Sequence, residues 1–284
     1  MTGRMGQCPS AAQDRLPVPP AAWAYMVRCA DGSLYAGWTT DLARRLRAHR
    51  TGRGGARYTR AHGAVRLAYA ERCADRPAAL RREAALKKLD KPAKEALAAA
   101  WSAAHTITLR EATLDDAPAV NELYSWYVTH STATFQYGVP TLEEQQQSMA
   151  AAIAAAPFLL AEDAAGHLCG YACAHPWHTR EAYAWDVELT IYCDPDCIGQ
   201  GVGGKLYTAL LARLREQGYC NAVALVAHPN PESEAFHRAL GFRKVGTEPR
   251  TGYKFGTWLD LQYWWMALRD GTEPPAPVRL PDER

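Results

Sequence analysis

The chain has 284 residues, 48% of them hydrophobic and 22% charged, with a formal net charge of +2, which is room for two packed domains. No apolar run is long enough to span a bilayer as a helix and the first twenty residues lack a signal-peptide core, so a cytoplasmic location is expected. The small net charge hides a division: Trp23 to Trp101 carries 17 Lys/Arg against 7 Asp/Glu, whereas Ser102 to Arg284 carries 13 against 22.

Residues 1–21, with four prolines among small polar residues, read as a disordered tail. Trp23 to Arg28 and Leu34 to Trp38 are apolar strands around the turn signal Asp31-Gly32. Thr40-Asp41 caps a helix from Leu42 to Arg50, with Leu42 and Leu46 inward and Arg44, Arg45 and Arg47 around them. A glycine-rich basic loop, Thr51 to Arg60, leads to a strand at Val65 to Glu71. A helix from Pro77 to Leu89 then carries Glu83 at its middle, and the alanine-rich helix Asp90 to Ala104 closes the unit.

The arrangement of Trp23-Ala24-Tyr25, Tyr35-Ala36-Gly37 and the run Tyr35 to His49 resembles the GIY-YIG endonucleases, in particular their small stand-alone members. Gly-Ile is replaced by Trp-Ala in the first triplet and Ile by Ala in the second, but both tyrosines stand. By that resemblance Tyr25 and Tyr35 line the site, Arg45 contacts the scissile phosphate, His49 assists proton transfer and Glu83 binds Mg²⁺ or Mn²⁺. Such a set matches what phosphodiester cleavage asks for. Two plainer readings stand beside it: the arginines as a solvated helix face with core tyrosines, and a nucleic-acid-binding module without turnover. The basic charge suits a polyanion in either case but the first.

Downstream, Ile107 to Glu111 is a strand and Leu114-Asp115-Asp116 opens a helix with Val120, Leu123 and Tyr127. A loop from Thr129 to Pro140, a helix from Leu142 to Ala155, and strands at Phe158 to Glu162 and Leu168 to His175 follow. The organising stretch is Glu188 to Tyr207. A strand, Glu188 to Cys193, ends at Asp194-Pro195; Gly199-Gln200-Gly201-Val202-Gly203-Gly204 comes next; then a helix with Lys205, Leu210, Leu211 and Leu214 runs to a stop at Gly218. Glycines at a helix N-terminus let backbone amides converge on an anion such as a pyrophosphate. A dinucleotide fold is argued against, because the turn lies deep in the domain and no acidic residue follows at the ribose distance. The cysteines, eight in all, are read as reduced structural thiols rather than as a zinc site, although Cys169, Cys173, Cys193 and Cys197 have His175 and His178 nearby in the chain.

The glycine turn resembles the acetyl-CoA signature of the GNAT N-acetyltransferases, with Ile198 where that signature has arginine or glutamine. Pro176 to Arg180, Ala182 to Trp185, Glu188, Asn230-Pro231, Phe236 to Phe242 and Gly252 to Asp260 narrow the resemblance to the phosphinothricin and methionine sulfone/sulfoximine acetyltransferases. It implies an α/β (α+β) chain whose second domain has a central mixed sheet flanked by helices, with domains at 22–104 and 105–270 and a loose tail at 271–284. It also implies acetyl-CoA as co-substrate and a small amino-acid-like amine as acceptor. Glu188 takes the base position and His237 that of an acid or water-relayed base. Ile191, Tyr192, Cys193, Gly199 to Lys205 and Asn230 would hold the cofactor, and Phe135, Trp177, Arg180 and Tyr183 the amine, with Arg180 for its carboxylate. Plainer alternatives are a Glu188–Arg180 ion pair and a satisfied core histidine at 237. Asn230 also suits a helix cap. The aromatic run Leu261 to Met266 is read as core or homodimer surface. The rival for the whole chain is a nucleic-acid-binding or nuclease protein whose GNAT half senses acetyl-CoA or a small ligand.

Overall fold

A computed structural model describes residues 22–52, 54–197, 200–270 and 273–280. The expected tail at 1–21, Ile198, Gly199, and residues 271, 272 and 281–284 of the expected C-terminal tail lie outside the described residues.

The N-terminal sheet has the order β2-β1-β3, all antiparallel, with β1 at Ala22–Cys29, β2 at Leu34–Thr39 and β3 at Ala64–Cys73. Helices α1 (Leu42–Thr51), α2 (Arg57–His62), α3 (Arg76–Lys88) and α4 (Lys91–Ala104) surround it. Three of them begin alike. Asp41, Asp75 and Asp90 accept the backbone N–H of Arg44, Ala78 and Ala93, which satisfies amides that have no partner inside the helix. Where the glycines of residues 51–60 suggest a loop, the chain forms α2 from Arg57. Trp101 of α4 lies over β3 and donates its indole N–H to the Ala70 carbonyl at 3.1 Å.

The second sheet has seven strands in the order β4-β5-β6-β7-β8-β10-β9. Its members are β4 (Thr108–Glu111), β5 (Phe158–Glu162), β6 (Leu168–Pro176), β7 (Asp186–Cys193), β8 (Asn221–His228), β9 (Arg243–Lys254) and β10 (Thr257–Ala267). Only β7 and β8 run parallel, joined by the crossover helix α7 (Val202–Gln217). Leu206, Leu210, Leu211 and Leu214 pack α7 onto one face. Helices α5 (Ala117–His130) and α6 (Leu142–Ala155) cover the other through Val120, Leu123, Met149 and Ala152. Strand β10 sits inside the sheet, and Gln262 and Trp264 are buried, so on that face the aromatic run is core. A short helix α8 (Pro231–Ala239) follows β8. Among the described residues, no helix is long and apolar enough to cross a membrane.

The two sheets' units meet through exposed ion pairs, Arg47–Glu232 at 2.7 Å and Arg72–Asp196 at 3.1 Å. In each the basic partner comes from the N-terminal unit. Exposed pairs of this kind hold little free energy, up to about 1 kcal/mol.

Candidate active sites

In the N-terminal unit four of the expected residues form one hydrogen-bonded or stacked group. Tyr25 lies across the strand pair from Gly37, where a Cβ would come within 2.6 Å of the Tyr25 hydroxyl; only glycine leaves that space. The hydroxyl sits 2.7 Å from His49 Nε2, and Arg45 Nε donates to the same oxygen at 3.0 Å. His49 Nδ1 lies 2.7 Å from Thr59 Oγ1, whose own proton goes to the Ala56 carbonyl. With that proton used, His49 donates from Nδ1 and receives the Tyr25 proton at Nε2, a neutral tautomer fixed by its neighbours. Tyr35 meets the His49 ring edge-on at 5.4 Å between centroids. Burial pushes Tyr25 up to about 12, and burial together with the Arg45 charge holds His49 down at about 4.

Glu83 stands apart on α3, near enough for its charge to be felt at Tyr25 but paired with Lys87 at 2.8 Å. A single carboxylate fits a hard cation that keeps most of its waters, as Mg²⁺ and Mn²⁺ do, with Lys87 displaced. Thr59 was missed by the sequence reading, because the segment that carries it was taken as loop.

In the larger unit the site is made by a parting of strands. β7 and β8 are paired from Asp186/Asn221 to Leu189/Ala224 and no further, although each continues, hydrogen-bonded to its outer neighbour. Beyond Leu189 and Ala224 the facing backbone groups have no ladder partner. An extended ligand carrying amides can supply one. A cavity of about 250 Å³ lies in the gap, lined by Glu188 to Tyr192, Ala224 to Ala227, Phe135, Asn230, Tyr207 and His237 among others. A second, of about 420 Å³, shares Thr190 and Tyr192 with it and adds Tyr124, Gln136, Gln145, Ser148, Cys173 and His175.

Glu188 is half-buried, and desolvation raises its carboxyl above the usual range, with His178 pulling the other way. No ion pair joins it to Arg180: the Arg180 side chain is exposed and outside both cavities, which removes that alternative. Trp177 and Tyr183 also lie outside both, packed on His178 at 4.7 and 4.6 Å between centroids. Phe135 does reach the first cavity. Its ring lies on Gly252, where a Cβ would fall 2.5 Å away, and the loop before it is held by Lys254. That lysine, 1% exposed, donates to the Ser131 and Thr134 carbonyls at 2.8 and 2.7 Å. Sequence patterns missed Lys254, as they missed the second cavity.

His237 is 2% exposed. Its Nδ1–H goes to the Ser233 carbonyl at 2.8 Å, and Nε2 faces the Tyr207 hydroxyl at 3.3 Å. Burial lowers its basicity, so the ring is neutral, and it lines the first cavity beside Tyr207. Of the expected cofactor residues, Ile191, Tyr192 and Asn230 line the first cavity, and Asn230 also caps α8 by accepting from Ser233 N. At the start of α7, Gly201 has φ +77°, and a Cβ at Gly203 would press within 3.3 Å of Phe236. The amides of Val202, Gly203 and Gly204 precede the first intrahelical bond, Lys205 N to Gly201 O. Lys205 therefore spends its amide inside the helix, and its ammonium goes to the Ile107 carbonyl at 3.2 Å, away from any ligand at the turn. Cys193 points its thiol into the core and gives its carbonyl to Tyr127. Gln200 lines a separate cavity between the two units.

Residues 109–263 match the model of the acetyltransferase (GNAT) domain, and residues 21–96 match that of the GIY-YIG catalytic domain. A phosphinothricin N-acetyltransferase of Streptomyces viridochromogenes is 36% identical over 173 residues, 61% of this chain and 93% of that protein. An L-methionine sulfoximine/L-methionine sulfone acetyltransferase of Pseudomonas paraeruginosa is 36% identical over 57% of this chain and 94% of its own. Among solved structures, a phosphinothricin acetyltransferase from Sinorhizobium meliloti in complex with AcCoA aligns with a TM-score of 0.59 and 32% identity, covering 63% of this chain and 97% of that one. With more than half its length in that one match, and with a GIY-YIG domain ahead of it, the chain belongs to the GNAT acetyltransferase family.

Proposed function

We propose that the chain transfers the acetyl group of acetyl-CoA to the amino group of a small amino acid or analogue, of the phosphinothricin or methionine sulfone/sulfoximine kind. The observation that carries this is Glu188, a carboxylate of raised pKa on the rim of the gap between β7 and β8. Residues 22–104 and 105–270 are taken as the two domains. The amides of Val202 to Gly204 would hold the pyrophosphate, and the free edges of β7 and β8 the amides of the pantetheine arm. Glu188 then accepts a proton from the substrate ammonium, and the amine attacks the thioester carbonyl. Collapse of the tetrahedral intermediate expels the CoA thiolate, which takes up the proton the nitrogen sheds as the amide forms, while the Tyr207 hydroxyl, held by the Nε2 lone pair of neutral His237, is oriented at the cleft wall. The second cavity, with Gln136, Gln145 and Ser148, suits the polar acceptor better than the exposed Arg180 does.

Thiol release from acetyl-CoA with methionine sulfone, methionine sulfoximine and phosphinothricin tests the reading. Turnover that falls in Glu188→Gln is expected; tight acetyl-CoA binding without turnover on any amine would favour a ligand sensor instead.

A second reading is favoured by the Arg45–Tyr25–His49–Thr59 chain, namely metal-dependent cleavage of a nucleic acid. Arg45 would meet the phosphate and neutral His49 would draw the proton through Tyr25 from the attacking water. A divalent ion held at Glu83, when bound, would stabilise charge on the leaving oxygen.

A further inference from the structure

Three potential metal ligands converge near the cysteines read as structural thiols, with a membership other than the Cys/His set named in the sequence, and a further thiol lies beside them. His167 Nε2 lies 2.9 Å from Asp194 Oδ2, and these two atoms and the Cys197 thiol all fall within 4.8 Å of one another. The Cys169 thiol is the neighbour that, ahead of burial, pushes the Cys197 thiol up. The ligands come as two short pairs, His167-x-Cys169 at the start of β6 and Asp194-x-x-Cys197 just beyond β7. Cys173 and His175, named in the earlier reading, instead contact each other at 3.4 Å on the cleft side.

Backbone bonds set the two pairs in place. Asp194 N donates to the Cys169 carbonyl at 2.9 Å, and Cys197 N to the Asp194 carbonyl at 3.0 Å. His167 is fixed through Asp163, whose side chain accepts the His167 amide at 3.0 Å. Asp194 Oδ1 takes the Asp196 amide at 2.6 Å, which orients the carboxylate and leaves Oδ2 for another partner. Cys169 and Cys197 are 0% and 7% exposed, whereas the His167 side chain opens to solvent and gives an ion a path in. One sulfur, one imidazole and one carboxylate within reach of one another, with a second sulfur alongside, make a donor set of the kind that holds tetrahedral zinc.

We propose that His167, Asp194 and Cys197, with the neighbouring Cys169 thiol turned in as the fourth ligand, form a structural site for one zinc ion, clamping the end of β7 to the start of β6. Binding releases the two thiol protons to solvent and leaves both sulfurs as thiolate ligands. The site lies outside both cavities and is independent of the transferase chemistry. By fixing the residues just ahead of the glycine turn, the ion makes the whole unit harder to unfold.

The test uses the full chain, reduced, stripped with chelator and carrying Glu83→Ala so that the GIY-YIG site does not compete. Titration with Co²⁺ should give one equivalent with a thiolate-to-cobalt charge-transfer band and visible bands of tetrahedral intensity, displaced by Zn²⁺. Zn²⁺ should raise the melting temperature. Cys197→Ser should abolish the band, and His167→Ala, an exposed change that leaves the core alone, should weaken binding at least tenfold. Absence of a charge-transfer band, or an unchanged affinity in both variants, overturns the proposal. So does a Cys169–Cys197 disulfide as the only product on metal addition in air, since that marks a thiol pair and not a metal centre.

Discussion

Each half of this chain buries a histidine against a tyrosine hydroxyl, and the difference lies in what stands behind the pair. In the N-terminal unit Tyr25 and His49 are 2.7 Å apart and Arg45 donates into the same phenol oxygen. In the larger unit Tyr207 and His237 are 3.3 Å apart, enclosed by Phe236, Phe242 and Trp264, with no guanidinium on the hydroxyl among the described residues. Under the second reading proposed above, the cation at the first pair would face a phosphate, where negative charge grows in the transition state. The apolar cage at the second would suit a thioester and a neutral amine in the proposed transfer, with Glu188, whose carboxyl desolvation raises, as the proposed base beside it. The same two residue types thus sit in opposite electrostatic surroundings, and the overall charge of each half agrees.

That contrast is broken most decisively at Glu83. In Glu83→Ala any Mg²⁺- or Mn²⁺-dependent cleavage of labelled DNA or RNA should vanish, while affinity at low salt is kept or slightly raised, since a negative charge has left the site. Arg45→Ala should lower both cleavage and binding. Wild-type chain that binds but cuts none of single-stranded, double-stranded or branched substrates would reduce the N-terminal unit to a binding module. In the other half, Gly203→Glu places a side chain against Phe236 and a carboxylate at the α7 N-terminus. Calorimetry should then find CoA binding lost with the circular-dichroism spectrum unchanged; retained affinity would move the pyrophosphate elsewhere.

Next in size is Glu188→Gln, which should lower turnover by about 10²-fold or more with acetyl-CoA affinity intact, the usual scale for loss of a general base. Because desolvation raises the Glu188 pKa, the wild-type rate should climb with pH along a limb lying above the ordinary carboxylate range. A flat profile there, or an unchanged rate in the variant, would remove Glu188 from the chemistry.

What could be read from the chain and what could not divide along the same physical line. Strand alternation, the Asp41 cap and the glycine turn are local, and they placed most elements, whereas the candidate site residues came from resemblance. Tyr25, Arg45 and His49 were legible because one hairpin and the helix after it bring them together. Lys254 was not, since nothing in its own strand tells that its ammonium is buried under the carbonyls of Ser131 and Thr134. The same holds for Lys205, whose target, Ile107, is 98 residues away. Arg180, Trp177 and Tyr183 were placed by resemblance, and the fold carries their side chains past the cavities. The second cavity needed the packing of α5 and α6 on β6 and β7, which no spacing encodes.

The smallest effect tests the comparison itself. Both histidines are held neutral, so the folded state binds fewer protons than the unfolded one across part of the acid range. For His49 that range runs from the ordinary value of 6.5 down to about 4. The stability it contributes is whole above that range and drains away as the pH falls through it. Arg45 adds to burial at His49, whereas at His237 the Ser233 carbonyl, which holds the Nδ1 proton, works against burial. The acid-side loss should therefore be steeper in the N-terminal unit. Hydrogen exchange read peptide by peptide at pH 7 and pH 5 measures the two halves separately. His49→Gln should flatten the pH dependence of residues 22–104 more than His237→Gln flattens that of residues 105–270. Equal slopes would mean that the cation behind Tyr25 does not set the difference between the two pairs.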